Sequence, residues 1–287
     1  MRVIGAMILR EGIRLDYPFR EAICSALPLC EAFFVSVGQS SDGTKEALQA
    51  LGLAKLHILD SEWDLSLREG GQVLAQETNK LLRQLPPADW VLCLQADEVL
   101  HEADYPALQA SMTRWKDDPR VEGLLFDYLH FYGSYDWVGA SRRWYRREVR
   151  IIRPYPDIEA YRDAQGFRRR GRKLWVKPSG GRIFHYGWVR TPKAQEIKFV
   201  EVSRFWHDDA WIARHKPEQF SYDTQEVLQP FLGTHPAVMA ERIAARNWEF
   251  AYDPRQVRPS WKERLLAYVE RFSGWRPGEF RNYRLLL

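Results

Sequence analysis

The order of predicted elements in the first hundred residues is the feature that most constrains the fold. Short apolar segments of strand length alternate with segments whose apolar residues recur every three or four positions. Such an order is typical of a mostly parallel sheet covered by helices, with right-handed crossovers. The sequence therefore predicts an α/β fold. The predicted strands are 3–9, 33–37, 55–59 and 90–95, and the predicted helices are 17–27, 44–51 and 72–85.

The fourth predicted strand ends in two adjacent carboxylates, Asp97 and Glu98. Open α/β sheets bind ligands beyond the carboxyl ends of their strands. A hard divalent cation such as Mg²⁺ or Mn²⁺ takes one or two carboxylates and completes its shell with water and phosphate oxygens. The pattern indicates a metal and phosphate site, and a solvated Asp-Glu turn is the alternative.

The arginines of this chain are concentrated in two clusters, although the net charge of the 287 residues is only +4. Basic clusters attract the phosphate groups of a nucleotide, a nucleic acid or a lipid headgroup. The sequence has no internal repeats and no low-complexity segments, which argues against a solenoid or a disordered scaffold. The first cluster is Arg142, Arg143, Arg146, Arg147, Arg150 and Arg153, and the second is Arg168, Arg169, Arg170, Arg172 and Lys173.

Three observations favour a cytoplasmic location. No apolar stretch approaches the roughly 18 residues needed to span a bilayer, and no cleavage-site pattern follows the apolar run at 3–9. The three cysteines, Cys24, Cys30 and Cys93, lie beside apolar residues and form no Cys-x-x-Cys pair, as expected of buried thiols in a reducing compartment.

Two motifs carry a resemblance to family 2 glycosyltransferases. The segment 40–44, Ser-Ser-Asp-Gly-Thr, resembles the Ser-Thr-Asp-Gly-Thr that follows the second strand in that family. The segment 95–98, Gln-Ala-Asp-Glu, resembles the family's Asp-x-Asp element, and Asn79 falls near the Arg-Asn pair that precedes it. The resemblance covers about residues 1–190. It implies a GT-A-like nucleotide-binding α/β sandwich that transfers a sugar from a nucleotide diphosphate donor, with inversion.

The resemblance also implies which residues contact the donor. They are Asp42, Asn79, Gln95 and Asp97, with Arg68 as a substitute cation because Thr78 stands where the family has the arginine before Asn79. The aspartates that usually contact the nucleotide base are replaced by Val-Gly-Gln at 37–39. The sequence therefore does not predict which nucleotide the donor carries.

The predicted metal ligands are Asp97, Glu98 and His185. Gln95 replaces the first aspartate of the metal motif and is a poorer ligand, so metal binding falls on the two carboxylates that follow. His185, in an aromatic segment at 182–188, resembles the late histidine that completes the metal shell or contacts the diphosphate in related transferases. A neutral imidazole is a good ligand for Mn²⁺ or another transition metal. A hydrogen-bonded structural histidine is the alternative.

Inverting transfer requires a general base that takes the proton of the acceptor hydroxyl. The family places an aspartate for this role between the metal motif and the late histidine. Asp163, in a turn-like segment next to Tyr161 and Phe167, is the first candidate, and Asp136 beside Trp137 is the second. A solvated turn residue paired with Arg162 is the alternative for Asp163.

The sequence divides into a catalytic domain at 1–190 and a helical C-terminal appendage at 191–287. Within the first, 1–100 is expected to bind the nucleotide sugar and 101–190 the acceptor. Within the appendage, helices are predicted at 192–213, 237–250 and 261–272, and the last of them is amphipathic. We expect the appendage to pack on the catalytic domain. Three roles remain open for it: it covers the acceptor cleft, forms an oligomer contact, or lies on the inner face of a membrane.

The predicted function is that of a metal-dependent, inverting glycosyltransferase of polysaccharide biosynthesis. Its substrates are a nucleotide diphosphate sugar and a glycan or lipid-linked acceptor. One alternative is a transferase-like protein without catalysis that binds polysaccharide or anionic partners, as Gln95 and the missing aspartates suggest. A nucleic-acid partner is not expected, although the arginine and aromatic clusters leave it as a rival that predicts strongly salt-dependent binding.

Overall fold

The computed structural model describes residues 1–286, which form one large sheet, a small second sheet and eight α-helices. The helices are α1 Phe19–Ala26, α2 Thr44–Gln49, α3 Gln72–Leu82, α4 Tyr105–Trp115, α5 Pro192–Ser203, α6 Asp209–His215, α7 Ala240–Ala244 and α8 Trp261–Ser273. The first seven strands are β1 Val3–Leu9, β2 Ala32–Val37, β3 Leu56–Asp60, β4 Trp90–Cys93, β5 Glu98–Leu100, β6 Gly123–Tyr132 and β7 Trp137–Gly139. The remaining strands are β8 Arg147–Ile152, β9 Ile158–Tyr161, β10 Gly166–Arg169, β11 Arg172–Lys173, β12 Trp175–Trp188, β13 Leu228–Pro230 and β14 Arg284–Leu285.

The predicted α/β architecture with a parallel sheet at its centre is confirmed. Strands β3, β2, β1 and β4 are adjacent in that order, and all three pairings are parallel. All four residues of β4 are buried, as is every residue of β1 except Ile8, which explains their nearly continuous apolar sequences. The predicted bounds of these strands and of α1 to α3 differ from the observed ones by at most three residues.

The second half of the sheet extends the parallel core with antiparallel strands. Strand β8 lies between β4 and β6 and is antiparallel to both. The long strand β12 then pairs parallel to β6 and antiparallel to the short β5. This arrangement brings β5, which follows Asp97 directly, next to the strand that carries His185.

The last hundred residues differ from the helical appendage that the sequence predicts. The predicted helix at 192–213 is two helices, because the Asp208 side chain accepts a hydrogen bond from the Trp211 N–H and begins a new one. The predicted helix at 237–250 contains only the five residues of α7 and a preceding turn of 3₁₀ helix. Strands β13 and β14 pair with β7 and β12, so residues on both sides of position 190 build the main sheet. Within residues 1–286, no helix is long and apolar enough to cross a bilayer.

Candidate active site

A cavity of about 570 Å³ opens at the carboxyl ends of β1 and β4. Its floor is formed by the ends of these two strands, including Leu9 and the segment 93–97. Its walls come from α3, the turn between β9 and β10, and α5. Apolar walls with a few converging polar groups at the end of a parallel sheet are typical of small-molecule binding sites. The polar groups that line the cavity include Arg10, Gln95, Asp97, Arg150, Asp163, His185, Gln195 and Lys198.

The sheet register brings three of the site's side chains into one row. His185 on β12 lies opposite Glu98 on β5 and, on its other side, opposite His130 on β6. Directly opposed residues on neighbouring strands project from the same face of the sheet. The two motifs that the sequence places almost ninety residues apart, at Asp97 and at His185, therefore meet at one edge of the cavity.

Glu98 is fully buried and its carboxylate is saturated with hydrogen bonds. Arg150 donates to both oxygens, at 2.7 and 2.8 Å, and the Tyr128 hydroxyl donates at 2.8 Å. The backbone N–H of Gln95 donates a fourth bond at 3.0 Å. Glu98 does not line the cavity. Its surroundings conflict with the predicted role as a metal ligand, because the charge is already matched by a buried guanidinium.

Asp97 has a different environment, at the edge of the same cavity. Its Oδ2 accepts a hydrogen bond from Lys198 Nζ at 3.1 Å, and its Oδ1 lies 3.7 Å from His185 Nε2. Burial by itself raises the pKa of Asp97, but the positive charges of Lys198 and Arg190 and the hydrogen bond from Lys198 outweigh it and hold the pKa well below its usual range. Asp97 is therefore an anion that lines the cavity.

A chain of hydrogen bonds determines which nitrogen of His185 carries a proton. The Tyr145 carbonyl can only accept, so His130 Nε2, at 2.7 Å, must be its donor. Burial lowers the pKa of His130 well below its usual value and also lowers that of His185, so both rings are neutral. The His130 Nδ1 is then an acceptor, and His185 Nδ1, at 2.9 Å, donates to it. His185 Nε2 therefore presents a lone pair toward Asp97.

Two acceptors, Asp97 Oδ1 and His185 Nε2, consequently face each other at 3.7 Å. This pair fits a divalent cation, because an ionised carboxylate and a neutral imidazole nitrogen are both metal ligands. The donation from the far side of the ring to His130 is the arrangement that fixes metal-binding histidines. Among residues 1–286, no group of three or more His, Cys, Asp and Glu is arranged to hold a metal ion, and Asp97 with His185 is a group of two.

Gly187 is required for this arrangement. A Cβ on this residue would lie 2.5 Å from His185 Nε2 and 3.0 Å from Asp97 Oδ2. Any larger side chain would displace the imidazole or the carboxylate. The glycine lies where the register between β12 and β6 shifts, between His185 and Trp188.

Lys198 and His130 are site residues whose roles the sequence did not indicate. Lys198 Nζ also donates to the Gly187 carbonyl at 2.9 Å and lies 4.8 Å from the Tyr17 ring. Burial, with a contribution from Arg190, lowers the pKa of Lys198 to about 8. The sequence does contain a pattern that indicates Lys198. Polar residues recur every three positions along α5, at Gln195, Lys198 and Glu201, and all three line the cavity.

Asp163 lies in the wall of the cavity, on the turn between β9 and β10. The residues on both sides of it, Arg162 and Ala164, have φ of 56°, a conformation that is uncommon outside glycine. The turn packs closely against Gly71 before α3, where a Cβ would lie 2.7 Å from the Asp163 Cβ. Its Oδ1 accepts a hydrogen bond from the Gln165 N–H at 3.2 Å. The alternative ion pair with Arg162 is not observed.

Four other predicted site residues do not line the cavity. Asp136 forms an ion pair with Arg246 at 2.8 Å, and Arg68 forms one with Asp209 at 2.9 Å. Asn79 bonds the backbone N–H and carbonyl of a residue on β9 and so attaches α3 to that strand. Each of these side chains already has a structural partner, which does not favour the predicted catalytic role of Asp136 or the donor contacts of Arg68 and Asn79.

Asp42 is the fourth of these residues, and it organises the turn of the first motif. Its Oδ1 accepts bonds from the Thr44 N–H and hydroxyl, and its Oδ2 accepts one from the Arg14 N–H. Burial by itself raises the pKa of Asp42, but these hydrogen bonds outweigh it and lower the pKa. The observed role of Asp42 is to join this turn to the loop after β1.

The two arginine clusters are largely neutralised by carboxylates of the chain itself. In the first, Arg142 and Arg146 bind Glu270, while Arg150 binds Glu98. Arg153 donates to backbone carbonyls near the end of α4. In the second, Arg169 and Arg172 both bind Glu122, and Arg170 binds Asp157. These clusters stabilise the fold, and they do not form an unpaired basic surface.

The sequence matches no protein-family profile and no curated protein sequence. Among solved structures, S. aureus TarS 1-349 in complex with UDP is similar over 74% of this chain and 68% of that one, with 12% identity and a TM-score of 0.37. A longer S. aureus TarS structure is matched over only 39% of its length. Glucosyl-3-phosphoglycerate synthase from Mycobacterium tuberculosis, in complex with Mn²⁺, UDP and glucosyl-3-phosphoglycerate, has 16% identity and a TM-score of 0.31 over 46% of this chain and 45% of that one. Galactosyltransferase LgtC, in complex with donor and acceptor sugar analogs, has 15% identity and a TM-score of 0.29 over 44% and 46%. Similarity of this size leaves the function to be argued from the cavity residues.

Proposed function

We propose that this protein is a glycosyltransferase that moves a sugar from a nucleotide diphosphate donor to a hydroxyl of a glycan or lipid-linked acceptor. The observation that carries the proposal is the pair of acceptors, Asp97 Oδ1 and His185 Nε2, 3.7 Å apart at the edge of a cavity of about 570 Å³. The position of that cavity, beyond the carboxyl ends of parallel strands, suits a nucleotide. The motif resemblance at 40–44 and 95–98 adds support.

The proposed metal ligands are Asp97 and His185, without Glu98. Mg²⁺ and Mn²⁺ are commonly held by one or two protein groups, with water and substrate phosphate oxygens in the other positions. When bound, such a cation supplies positive charge to the diphosphate as the sugar leaves. His130 is a positioning residue in this proposal, because it accepts the proton of His185 Nδ1 and leaves Nε2 free to bind.

Lys198 adds a second positive charge at the same place. Its ammonium group is largely buried and is held between Asp97 Oδ2 and the Gly187 carbonyl. A hydrogen bond from an ammonium group restrains the carboxylate, and the charge lies beside the position proposed for the diphosphate. We propose that Lys198 orients Asp97 and contributes to stabilising the leaving group.

Asp163 is the proposed general base for an inverting transfer. The acceptor oxygen forms a bond to the anomeric carbon while the bond from that carbon to the diphosphate oxygen breaks. The acceptor proton passes to the Asp163 carboxylate, and the electron pair of the broken bond stays on the diphosphate. Support for Asp163 over Asp136 comes from its position in the cavity wall and from the ion pair that occupies Asp136.

The proposal is tested with a panel of nucleotide sugars, each with Mn²⁺, Mg²⁺ or EDTA. A donor that binds the folded protein raises its melting temperature, and release of nucleoside diphosphate measures turnover on water or on an added acceptor. We expect a metal-dependent increase in melting temperature with one nucleotide and turnover that Asp97→Asn abolishes. Binding without turnover on any acceptor would favour a glycan-binding protein without catalysis, and no binding of any nucleotide would contradict the proposal.

A further inference from the structure

Helix α8 carries a stripe of large apolar side chains exposed to solvent. Trp261, Leu265, Tyr268 and Phe272 are 77%, 53%, 62% and 71% exposed. Their spacing of four, three and four residues places them on one face of the helix. We call these four residues the α8 stripe. Such large rings are usually buried in a folded domain, so a contiguous exposed row indicates an interaction surface.

The opposite side of α8 is attached to the rest of the protein. Glu270, on that side, forms ion pairs with Arg142, Arg146 and Arg276. Leu266 and Val269, on the flank between Glu270 and the stripe, are half-buried. These contacts hold the helix in one orientation, with the α8 stripe outward. The same contacts place α8 beside the loop that leads to Tyr145, which lines the cavity.

The charged residues of α8 are also divided between its two faces, with basic residues beside the stripe and acidic residues away from it. Lys262 lies on one side of the stripe, and Arg264 and Arg271 lie on the other. None of these three exposed cations forms an ion pair with a residue in the described part of the chain. The acidic residues Glu263 and Glu270 lie on the other face, where Glu263 caps the helix through Ser260.

We propose that the α8 stripe docks on a membrane surface that contains anionic lipids. Tryptophan, tyrosine and phenylalanine favour the boundary between headgroups and acyl chains, and flanking lysine and arginine favour anionic headgroups. The charge separation favours a lipid surface over a second copy of the chain, because the basic flanks of two copies would repel each other. This inference is independent of the proposed reaction. It would bring the cavity close to a lipid-linked acceptor.

Cosedimentation of the purified full-length protein with vesicles tests the proposal without any donor or metal. Vesicles of phosphatidylcholine alone are compared with vesicles containing phosphatidylglycerol, at low and high salt. We expect binding to the anionic vesicles that weakens with salt. The double variant Leu265→Glu/Phe272→Glu should lower the partition coefficient by at least about tenfold, since two apolar contacts are lost and two repulsive charges are gained.

A matched control and a second variant keep the result interpretable. Leu232, which is 92% exposed and outside α8, is changed to Glu and should leave vesicle binding unchanged. The triple variant Lys262→Gln/Arg264→Gln/Arg271→Gln keeps the stripe and should lose the preference for anionic vesicles. Equal melting temperatures confirm that the variants are folded. No vesicle binding by the unmodified protein, or a dimer in light scattering that Phe272→Glu dissociates, would overturn the proposal.

Discussion

Asp97 and Glu98 are neighbours with the same chemistry, yet the fold gives them opposite environments. The Glu98 carboxylate is enclosed by Arg150, Tyr128 and a backbone N–H. The Asp97 carboxylate lines the cavity and turns one oxygen toward a second acceptor, His185 Nε2. The first arrangement stabilises a structure, while the second has room for a ligand. Two adjacent carboxylates at a strand end are therefore not evidence for a shared metal. A carboxylate whose charge is already matched by a cation of the same chain, as in Glu98, is not free to bind one.

The largest expected effect is the loss of activity in Asp97→Asn. This change removes one of the two proposed metal ligands and the negative charge that holds Lys198. We expect nucleotide-sugar turnover to fall by at least about 10³-fold, the size of effect seen when an electrostatic contact at a reaction centre is removed. Asp136→Asn is the matched control, because this carboxylate lies away from the cavity, and it should retain activity. Substantial turnover in Asp97→Asn would remove the basis for treating the two carboxylates differently.

The converse change, Glu98→Gln, should act mainly on stability. It leaves the buried Arg150 without its counter-charge, which typically costs about 3–5 kcal/mol in the free energy of unfolding. Urea denaturation measures this loss. The double variant Glu98→Gln/Arg150→Met should recover much of it, because the uncompensated charge is gone. A Glu98→Gln protein of normal stability that no longer binds metal would show that Glu98 is a ligand after all.

A smaller effect is expected from His130→Phe, which removes the acceptor for His185 Nδ1. Loss of a partner that orients a metal-binding histidine typically weakens metal affinity by about 10–100-fold. Mn²⁺ binding measured by calorimetry gives this value without any turnover. His130→Asn, which can still accept a hydrogen bond, should recover part of the affinity. His101→Phe, at another buried histidine, is the control, and an equal loss there would indicate a general effect on folding.

The last prediction concerns the pH dependence of stability and Glu148, another carboxylate of this region. Among the described residues, Glu148 has no cationic partner within ion-pair distance. Burial raises its pKa to about 8, although Arg150 opposes the shift. Because the folded protein keeps this proton at a pH where the unfolded chain has lost it, the contribution to stability is complete below about pH 4.5 and is lost as pH rises toward 8. The Glu148→Gln variant should therefore gain in melting temperature, relative to the unmodified protein, between pH 5 and pH 8. A pH-independent difference would show that Glu148 titrates normally.

The sequence predicted well the features that depend on local pattern. Strands β1 to β4 are short apolar runs bounded by turn residues, and α3 begins directly after Gly71. The end that Pro86 and Pro87 predict for α3 is three residues beyond the observed one at Leu82. The meeting of Asp97 and His185 came from the motif resemblance, and the sheet register explains it. Asp163, also chosen from its turn, lies in the cavity wall.

The partners of charged residues could not be predicted, because they lie far away in the sequence. Glu98 and Arg150 are 52 positions apart, and His130 is 55 positions from His185. The arginine clusters were interpreted as surfaces for phosphate because the sequence does not show that Glu122, Glu270 and other acids lie against them. Lys198 was placed in an appendage, whereas its helix forms a wall of the cavity.

The most direct test of the central claim is the binding of Mn²⁺ followed by electron paramagnetic resonance, with and without a panel of nucleoside diphosphates. The unmodified protein should bind Mn²⁺ at one site, and one nucleotide should strengthen that binding. Asp97→Asn should lose the site, while Asp136→Asn should keep it. Equal Mn²⁺ binding by the unmodified protein and Asp97→Asn, or no effect of any nucleotide, would contradict the assignment of Asp97 and His185 as the centre of a nucleotide-sugar site.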